Sequence, residues 1–175
     1  MNVTIEIHRG DITTSAADAI VNAANSSLMG GGGVDGAIHR AGGRQILIEC
    51  RDIRRTSLPD GLPAGQAIET TAGDLPARWV IHTVGPVWSK SDDRSGILES
   101  CYRDSLRVAD ELGARTVAFP AVSAGVYGWP MADAARIAVQ TVATTPTSVG
   151  LVTFVLFSDD AMTAFTEALA ALPPS

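Results

Sequence analysis

An α/β layered fold with a mixed, mostly parallel sheet is what this sequence predicts, because short apolar runs alternate along the chain with stretches of helical spacing. At the start Val3, Ile5 and Ile7 alternate with polar residues, the period of a half-buried strand. Residues 19–23, 79–84, 116–119 and 151–157 are short apolar runs, rich in β-branched side chains, that suit central strands covered on both faces. Helical spacing marks residues 36–54, 95–112, 131–142 and 161–172; in the second of these Leu98, Cys101, Tyr102, Leu106 and Ala109 form one stripe. Gly113 stops that helix, Pro130 suits the first turn of the next, and Pro173-Pro174 ends the last. Residues 56–65, with Pro59, Gly61, Pro63 and Gly65, read as a surface loop.

The length of 175 residues suits one domain, residues 1–175, and 46% hydrophobic against 18% charged residues excludes disorder as the main state. With 19 acidic and 13 basic side chains the net charge is −6, which argues against holding nucleic acid by its phosphates. Cys50 and Cys101 fit no metal or redox spacing, and Met1-Asn2-Val3-Thr4 does not read as a secretory leader, so reduced thiols in a cytoplasmic protein are expected. No apolar run reaches the roughly 18–20 residues of a membrane span. Three scattered histidines without paired cysteines point to no metal site, and no cofactor is expected.

The composition is unusual in its 17 glycines against 5% aromatic residues. They concentrate at residues 30–33 and 125–128, each ahead of a predicted helix. Gly31-Gly32-Gly33-Val34-Asp35-Gly36 spells G-x-G-x-x-G, but the preceding strand ends near Ala23 and no carboxylate is placed to hold a ribose, so the dinucleotide-binding fingerprint is incomplete. Neither cluster continues into the Gly-Lys-Ser/Thr of a nucleotide-triphosphate loop. Bare backbone N–H groups at turns and helix starts bind anions, and two such loops in an acidic chain suit a ligand with two phosphates.

Five strings carry a more specific signal: Gly10-Asp11-Ile12-Thr13, Val21-Asn22-Ala23-Ala24-Asn25, the stretch 30–39 from Gly30 to His39, Val80-Ile81-His82-Thr83-Val84-Gly85-Pro86, and the stretch 119–128 from Phe119 to Gly128. Together, and in this order, they closely resemble the macrodomain family, in particular its MacroD-type hydrolase branch. The resemblance implies a three-layer α/β/α module that binds ADP-ribose. It implies that Asp11 accepts a hydrogen bond from the adenine amino group beside the Ile12 backbone, as a pure acceptor can; from its sequence position alone Asp11 also reads as a cap. Phe157 would stack on adenine, or else be one more core aromatic. Ser123, Ala124, Gly125 and Val126 would wrap the pyrophosphate opposite Gly32, Gly33 and Val34, with Tyr127 over the distal ribose.

For the reaction, the resemblance implies that Asn22 and Asn25 orient ribose hydroxyls, and that Asn25 positions the distal ribose while Asp35 acts on water. Taken by themselves, Asn25 reads as a loop residue tolerant of left-handed geometry and Asp35 as a helix N-cap. The helix dipole would lower the pKa of Asp35 and a neighbouring diphosphate would raise it, so the sequence leaves open whether Asp35 is a base or only orients water. His39 lies four residues on, on the same helix face, in a supporting role. His82 reads as a satisfied core residue and His8 as a surface one. The expected activity is hydrolysis of mono-ADP-ribose from Glu or Asp esters of proteins, together with deacetylation of O-acetyl-ADP-ribose. A non-catalytic reader of mono-ADP-ribosylated proteins is the alternative, and a dehydrogenase a third class. Nucleic acid would be a partner only through ADP-ribosylated ends, and no membrane partner is expected. Ala37, Trp129, Leu62-Pro63-Ala64-Gly65 and Ala72-Gly73-Asp74 depart from the family's usual residues, which loosens the placement within it.

Overall fold

The computed structural model describes residues 3–174 and contains a six-stranded sheet with helices on both faces. Its strands are β1 (Thr4–Arg9), β2 (Ala19–Ala24), β3 (Ala67–Thr71), β4 (Trp79–Val84), β5 (Thr116–Phe119) and β6 (Leu151–Leu156), in the order β1-β6-β5-β2-β4-β3. All neighbours pair in parallel except β3, which runs antiparallel to β4. The helices are α1 (Gly33–Gly42), α2 (Arg44–Thr56), α3 (Ser95–Leu112), α4 (Met131–Thr144) and α5 (Asp159–Ala170), with a short 3-10 turn at Ile12–Thr14.

Alternation along each strand builds the three layers. Val21, Ile81, Val117, Phe119, Val152 and Phe154 face a core closed by Leu98, Tyr102 and Leu106 of α3, Ile137 and Val142 of α4, and Phe165 of α5. Their neighbours Ile20, Val80 and Ala118 face the other side, where Ile38 of α1 and Ile46 and Cys50 of α2 cover them. The α/β/α arrangement expected from the sequence is therefore present, with a mixed sheet.

Three local expectations change. The single helix expected over residues 36–54 is two, because Gly43 at φ +81° ends α1 and starts α2, a conformation that costs glycine little. Strand β3 was absent from the sequence reading: Ala-Ile-Glu-Thr-Thr carries too few apolar residues to stand out, as suits a sheet edge. Residues 56–65 do not ride on solvent throughout. Leu62 is buried and its N–H donates to Ser26 O at 2.9 Å, Gly65 N–H donates to Val84 O at 2.8 Å, and the Arg54 guanidinium donates to the carbonyls of Ser27, Leu58 and Pro59. The loop thus buttresses the turn that carries Asn25.

The site follows from the sheet. Strands β2 and β5 pair only at Ala19 with Val117 and at Ile20 with Ala118, whereas β2 and β4 remain paired to Ala24 and Val84. The chain leaves β2 for α1 on one face and β5 for α4 on the other, so their C-terminal ends part at a topological switch point, where open α/β sheets hold ligands.

Candidate functional site

A cavity of about 360 Å³ opens between these strand ends. Ala23 and Ala24 at the end of β2 with Asn25 after it, residues 31–35 at the start of α1, residues 120–127 after β5 and residues 155–158 at the end of β6 line it. Of the residues singled out from the sequence, Asn25, Gly32, Gly33, Val34, Asp35, Ser123, Ala124, Gly125, Val126, Tyr127 and Phe157 meet at its wall.

The first wall is the start of α1. Gly32 is the N-cap and Gly33, at φ +59°, the first helical residue, so the N–H groups of Gly33, Val34 and Asp35 have no intrahelical acceptor and border the cavity. That end carries the positive pole of the helix and suits an anion. Asp35 is therefore not the N-cap; it is the third helical residue and only 5% exposed. Its Oδ1 accepts a hydrogen bond from Asn22 Nδ2 at 2.8 Å. His39 Nε2 lies 3.4 Å from the same oxygen, outside hydrogen-bond alignment, and acts on it through space. Burial, the largest influence, raises the Asp35 pKa above the usual carboxylate value; the Asn22 hydrogen bond and the His39 charge oppose it. This dominant desolvation is set by the fold and has no signature in the sequence, where only a helix dipole and a neighbouring phosphate are legible.

Asn25 Nδ2 donates to Gly30 O at 2.9 Å and its Oδ1 accepts from Ser27 Oγ at 2.5 Å, which holds the loop closed beside Asp35. Its backbone is not left-handed; Leu28, at φ +61°, takes that conformation instead. Asn22 is the clear correction. It is 0% exposed and bonded to Asp35 and to His82 Nδ1, so it stands behind the wall and orients Asp35 rather than a ribose hydroxyl.

The second wall is the 120–128 loop. Its base is tied down: Val122 N–H donates to the buried Tyr102 hydroxyl at 3.1 Å, and Ser123, strained at φ +66°, donates through Oγ to Pro86 O at 2.7 Å. Its tip is open, with Val126 95% exposed and Tyr127 half-buried. Trp88 N–H donates to Tyr127 O at 2.8 Å, and the Trp88 ring meets Trp129 edge-on at 5.1 Å. Gly85, just beyond β4 and without a distinguishing signal in the sequence, also lines the cavity.

At the far end Phe157 is 73% exposed, so it is not a core aromatic. Asp11 stands outside the cavity lining. It caps the Ile12–Thr14 turn, with Oδ1 accepting from Thr13 N–H at 2.9 Å and Thr13 Oγ1 at 2.7 Å, bonds that hold its carboxyl below the usual range. It borders a neighbouring depression that shares Val155 with the cavity, and Gly10 N–H donates to Leu156 O at 2.9 Å, so this turn lies beside the Phe157 end. Ile12 is buried under α1 rather than on the cavity wall. Among the described residues no group of three or more His, Cys, Asp or Glu could hold a metal ion, and no helix is long and apolar enough to cross a membrane.

Fold and site together define an α/β module with a helix-start anion cleft at the switch point of its sheet and a buried carboxylate on one wall. Residues 21–138 match the Macro domain family, and the chain belongs to it. A macro domain-containing protein of Streptomyces coelicolor is 70% identical over 165 residues, covering 94% of this chain and 98% of that one. An O-acetyl-ADP-ribose deacetylase of Enterobacter cloacae is 56% identical over 143 residues, 81% of this chain and 78% of the relative. Among solved structures, the Oceanobacillus iheyensis macrodomain with ADP superposes with a TM-score of 0.93 at 44% identity, covering 97% of this chain and 91% of that one.

Proposed function

We propose that this protein binds ADP-ribose in the cleft and hydrolyses esters carried on its distal ribose: O-acetyl-ADP-ribose, and mono-ADP-ribose linked to Glu or Asp side chains of proteins. The observation that carries the reading is Asp35, a buried carboxylate on the cavity wall beside Asn25 at an anion-binding helix start. The deacetylase name of a relative at 56% identity supports the substrate class.

The diphosphate lies between the α1 start and the 123–127 loop, adenine reaches toward Phe157 and Asp11, and the distal ribose lies under Tyr127 beside Asn25 and Asp35. For a protein ester, water adds at the anomeric carbon of the distal ribose, the bond from that carbon to the side-chain oxygen breaks, and the oxygen leaves with the electron pair as a carboxylate. The proton of the water passes to Asp35, whose raised pKa suits a base. For the acetyl ester, water adds to the acyl carbon and gives a proton to Asp35, the bond from that carbon to the sugar oxygen breaks, the acyl group departs as acetic acid, and the sugar oxygen takes the proton back from Asp35. Asn25 holds the ribose and His39 favours the charged form of Asp35.

Asp35→Ala tests this. Affinity for ADP-ribose, measured by calorimetry, stays within a few-fold, while turnover of O-acetyl-ADP-ribose and of a glutamate-linked ADP-ribosyl protein falls by about 10²–10⁴, the range for removing a general base. Unchanged turnover overturns the assignment. Serine-linked and arginine-linked substrates are released slowly or not at all. Tight binding by the unaltered protein with no release from any acid-linked substrate makes it a reader of ADP-ribosylated partners, and preference for NAD over ADP-ribose would return the dehydrogenase class.

A further inference from the structure

The catalytic carboxylate is held by a directional chain of buried hydrogen bonds that crosses three strands. Asn22 of β2 and His82 of β4 are direct neighbours in the sheet, and Thr70 of β3 faces the same side. All three side chains are buried: Asn22 and His82 are 0% exposed and Thr70 is 3% exposed. Asn22 Nδ2 has two hydrogens, one directed to Asp35 Oδ1 at 2.8 Å and the other to His82 Nδ1 at 3.1 Å. A carboxylate only accepts, so Asn22 must present its NH₂ to Asp35, and His82 Nδ1 must then carry a lone pair. The proton of the neutral imidazole is on Nε2, 2.9 Å from Thr70 Oγ1, and the single proton of Thr70 is directed to Thr71 O at 2.9 Å. Each of these links has one donor and one acceptor and the chain ends on a backbone carbonyl, while Asn22 Oδ1 is buried without a hydrogen-bond partner.

We infer that His82 is a positioning residue for the reaction, acting through Asn22 to fix the orientation of Asp35. This rests on the reading that Asp35 handles the water. A histidine placed only to fill the core would find an apolar replacement cheaper, because three buried polar side chains each carry a desolvation cost. The chain has an end use: the Asn22 amide, with His82 holding its second hydrogen, has a single orientation, and that orientation stabilises the charged Asp35. The titratable groups around it are Asp35 and His39 on α1, whose ring lies 6.2 Å from that of His82, and Cys50 on α2, whose Sγ is 3.9 Å from His82 Nε2. Burial pushes the Cys50 thiol up to about 12, so it is neutral, and burial pushes His82 down to about 3, so the imidazole orients without supplying a proton.

The test uses the full chain with Thr70→Val, His82→Leu and His82→Asn. Thr70→Val is nearly isosteric and removes the acceptor for His82 Nε2–H; His82→Leu removes the acceptor for Asn22; His82→Asn can restore that acceptor through its amide oxygen. Turnover falls about tenfold or more in Thr70→Val and His82→Leu, the scale of a small misplacement of a catalytic group, with ADP-ribose affinity unchanged, and His82→Asn recovers part of the loss. The Asp35 carboxyl, followed by ¹³C NMR, titrates at higher pH in the first two variants, and the acidic limb of the rate profile moves with it. In the unaltered protein ¹⁵N NMR finds His82 as the Nε2–H tautomer. The Nδ1–H tautomer, or folded variants with unaltered turnover and Asp35 titration, overturns the inference. If His82→Leu does not fold, Thr70→Val and the tautomer decide. Persistent turnover in Asp35→Ala defeats the reaction assignment instead, while the Asp35 titration still tests the chain.

Discussion

The two walls of the cleft are built in different ways. The wall at α1 is backed by a buried polar layer, Asp35 on Asn22, Asn22 on His82, His82 on Thr70, and Asn25 on Gly30 and Ser27, in which Asn22 Oδ1 and His39 Nε2 have no hydrogen-bond partner. The opposite wall is fixed at its base by Tyr102 and Ser123 but ends in the solvent-facing Val126, and at the far end of the cleft Phe157 is likewise exposed. The first wall puts a carboxylate in one place, which a reaction step requires. The second offers backbone and rim contacts, which suffice for binding and tolerate movement. On the proposed reading, the reaction belongs to the preorganised side, which shares recognition with the adaptable one.

The largest effect that could break this division is in pH. Unfolded, His82 takes up a proton below about 6.5, whereas the folded protein resists until about 3, so the unfolded state binds more protons between those values and stability falls as pH is lowered through them. His82→Gln removes this contribution, so between pH 7 and pH 4 the unaltered protein loses about 3 kcal/mol more than the variant, as urea unfolding measures. Equal losses would mean that the polar layer behind the first wall does not couple to the fold.

Gly36→Ala comes next. A Cβ there stands 2.3 Å from Gly31 O, a backbone atom that cannot swing aside, and 2.9 Å from Arg40 Nη1, which can. Better helix propensity offers about 1 kcal/mol at most, and overpacking costs about 1–3 kcal/mol. The variant is therefore less stable in thermal unfolding, and calorimetry finds weaker ADP-ribose binding because the 31–33 segment moves. A stability gain would show that the first wall yields.

On the rim, Phe157→Ala leaves stability within about 0.5 kcal/mol. It lowers ADP-ribose affinity about fivefold to tenfold, the low end of base–aromatic stacking. Smallest is Val126→Ser, with stability again within about 0.5 kcal/mol and affinity changed by about twofold or less, since this side chain makes little contact. A Val126 effect larger than that of Phe157 would move the recognition surface from the adenine end to the loop tip.

Much of this was legible in the chain. Strand β1 announced itself by apolar/polar alternation, β2, β4, β5 and β6 by short apolar runs rich in β-branched residues, α3 by an unbroken stripe, and both cleft loops by their glycines. The break at Gly43 was not, because residues 36–54 keep an apolar periodicity through both helices, and β3 was not, because an edge strand needs few apolar residues. In the site, Asn22 and Asn25 looked alike three residues apart. Only their placement separates them: Asn22 is inside β2 facing α1, and Asn25 is beyond its end on the cavity wall. Phe157 is the last residue of an apolar run and reads equally as core, but β6 ends at Leu156 and leaves it at the rim.

By itself the sequence determined the layering of helices and strands, the two backbone-lined loops and the residue types able to meet a diphosphate and a ribose, since propensity, periodicity and glycine content are local properties. The tertiary structure decided which of those residues share a wall, and that burial governs the charge of Asp35. It also joined Asn22, His82 and Thr70, separated by as many as 60 residues, into one chain of hydrogen bonds. Desolvation and hydrogen-bond direction depend on neighbours that come from distant parts of the chain, so they exist only once the sheet has assembled.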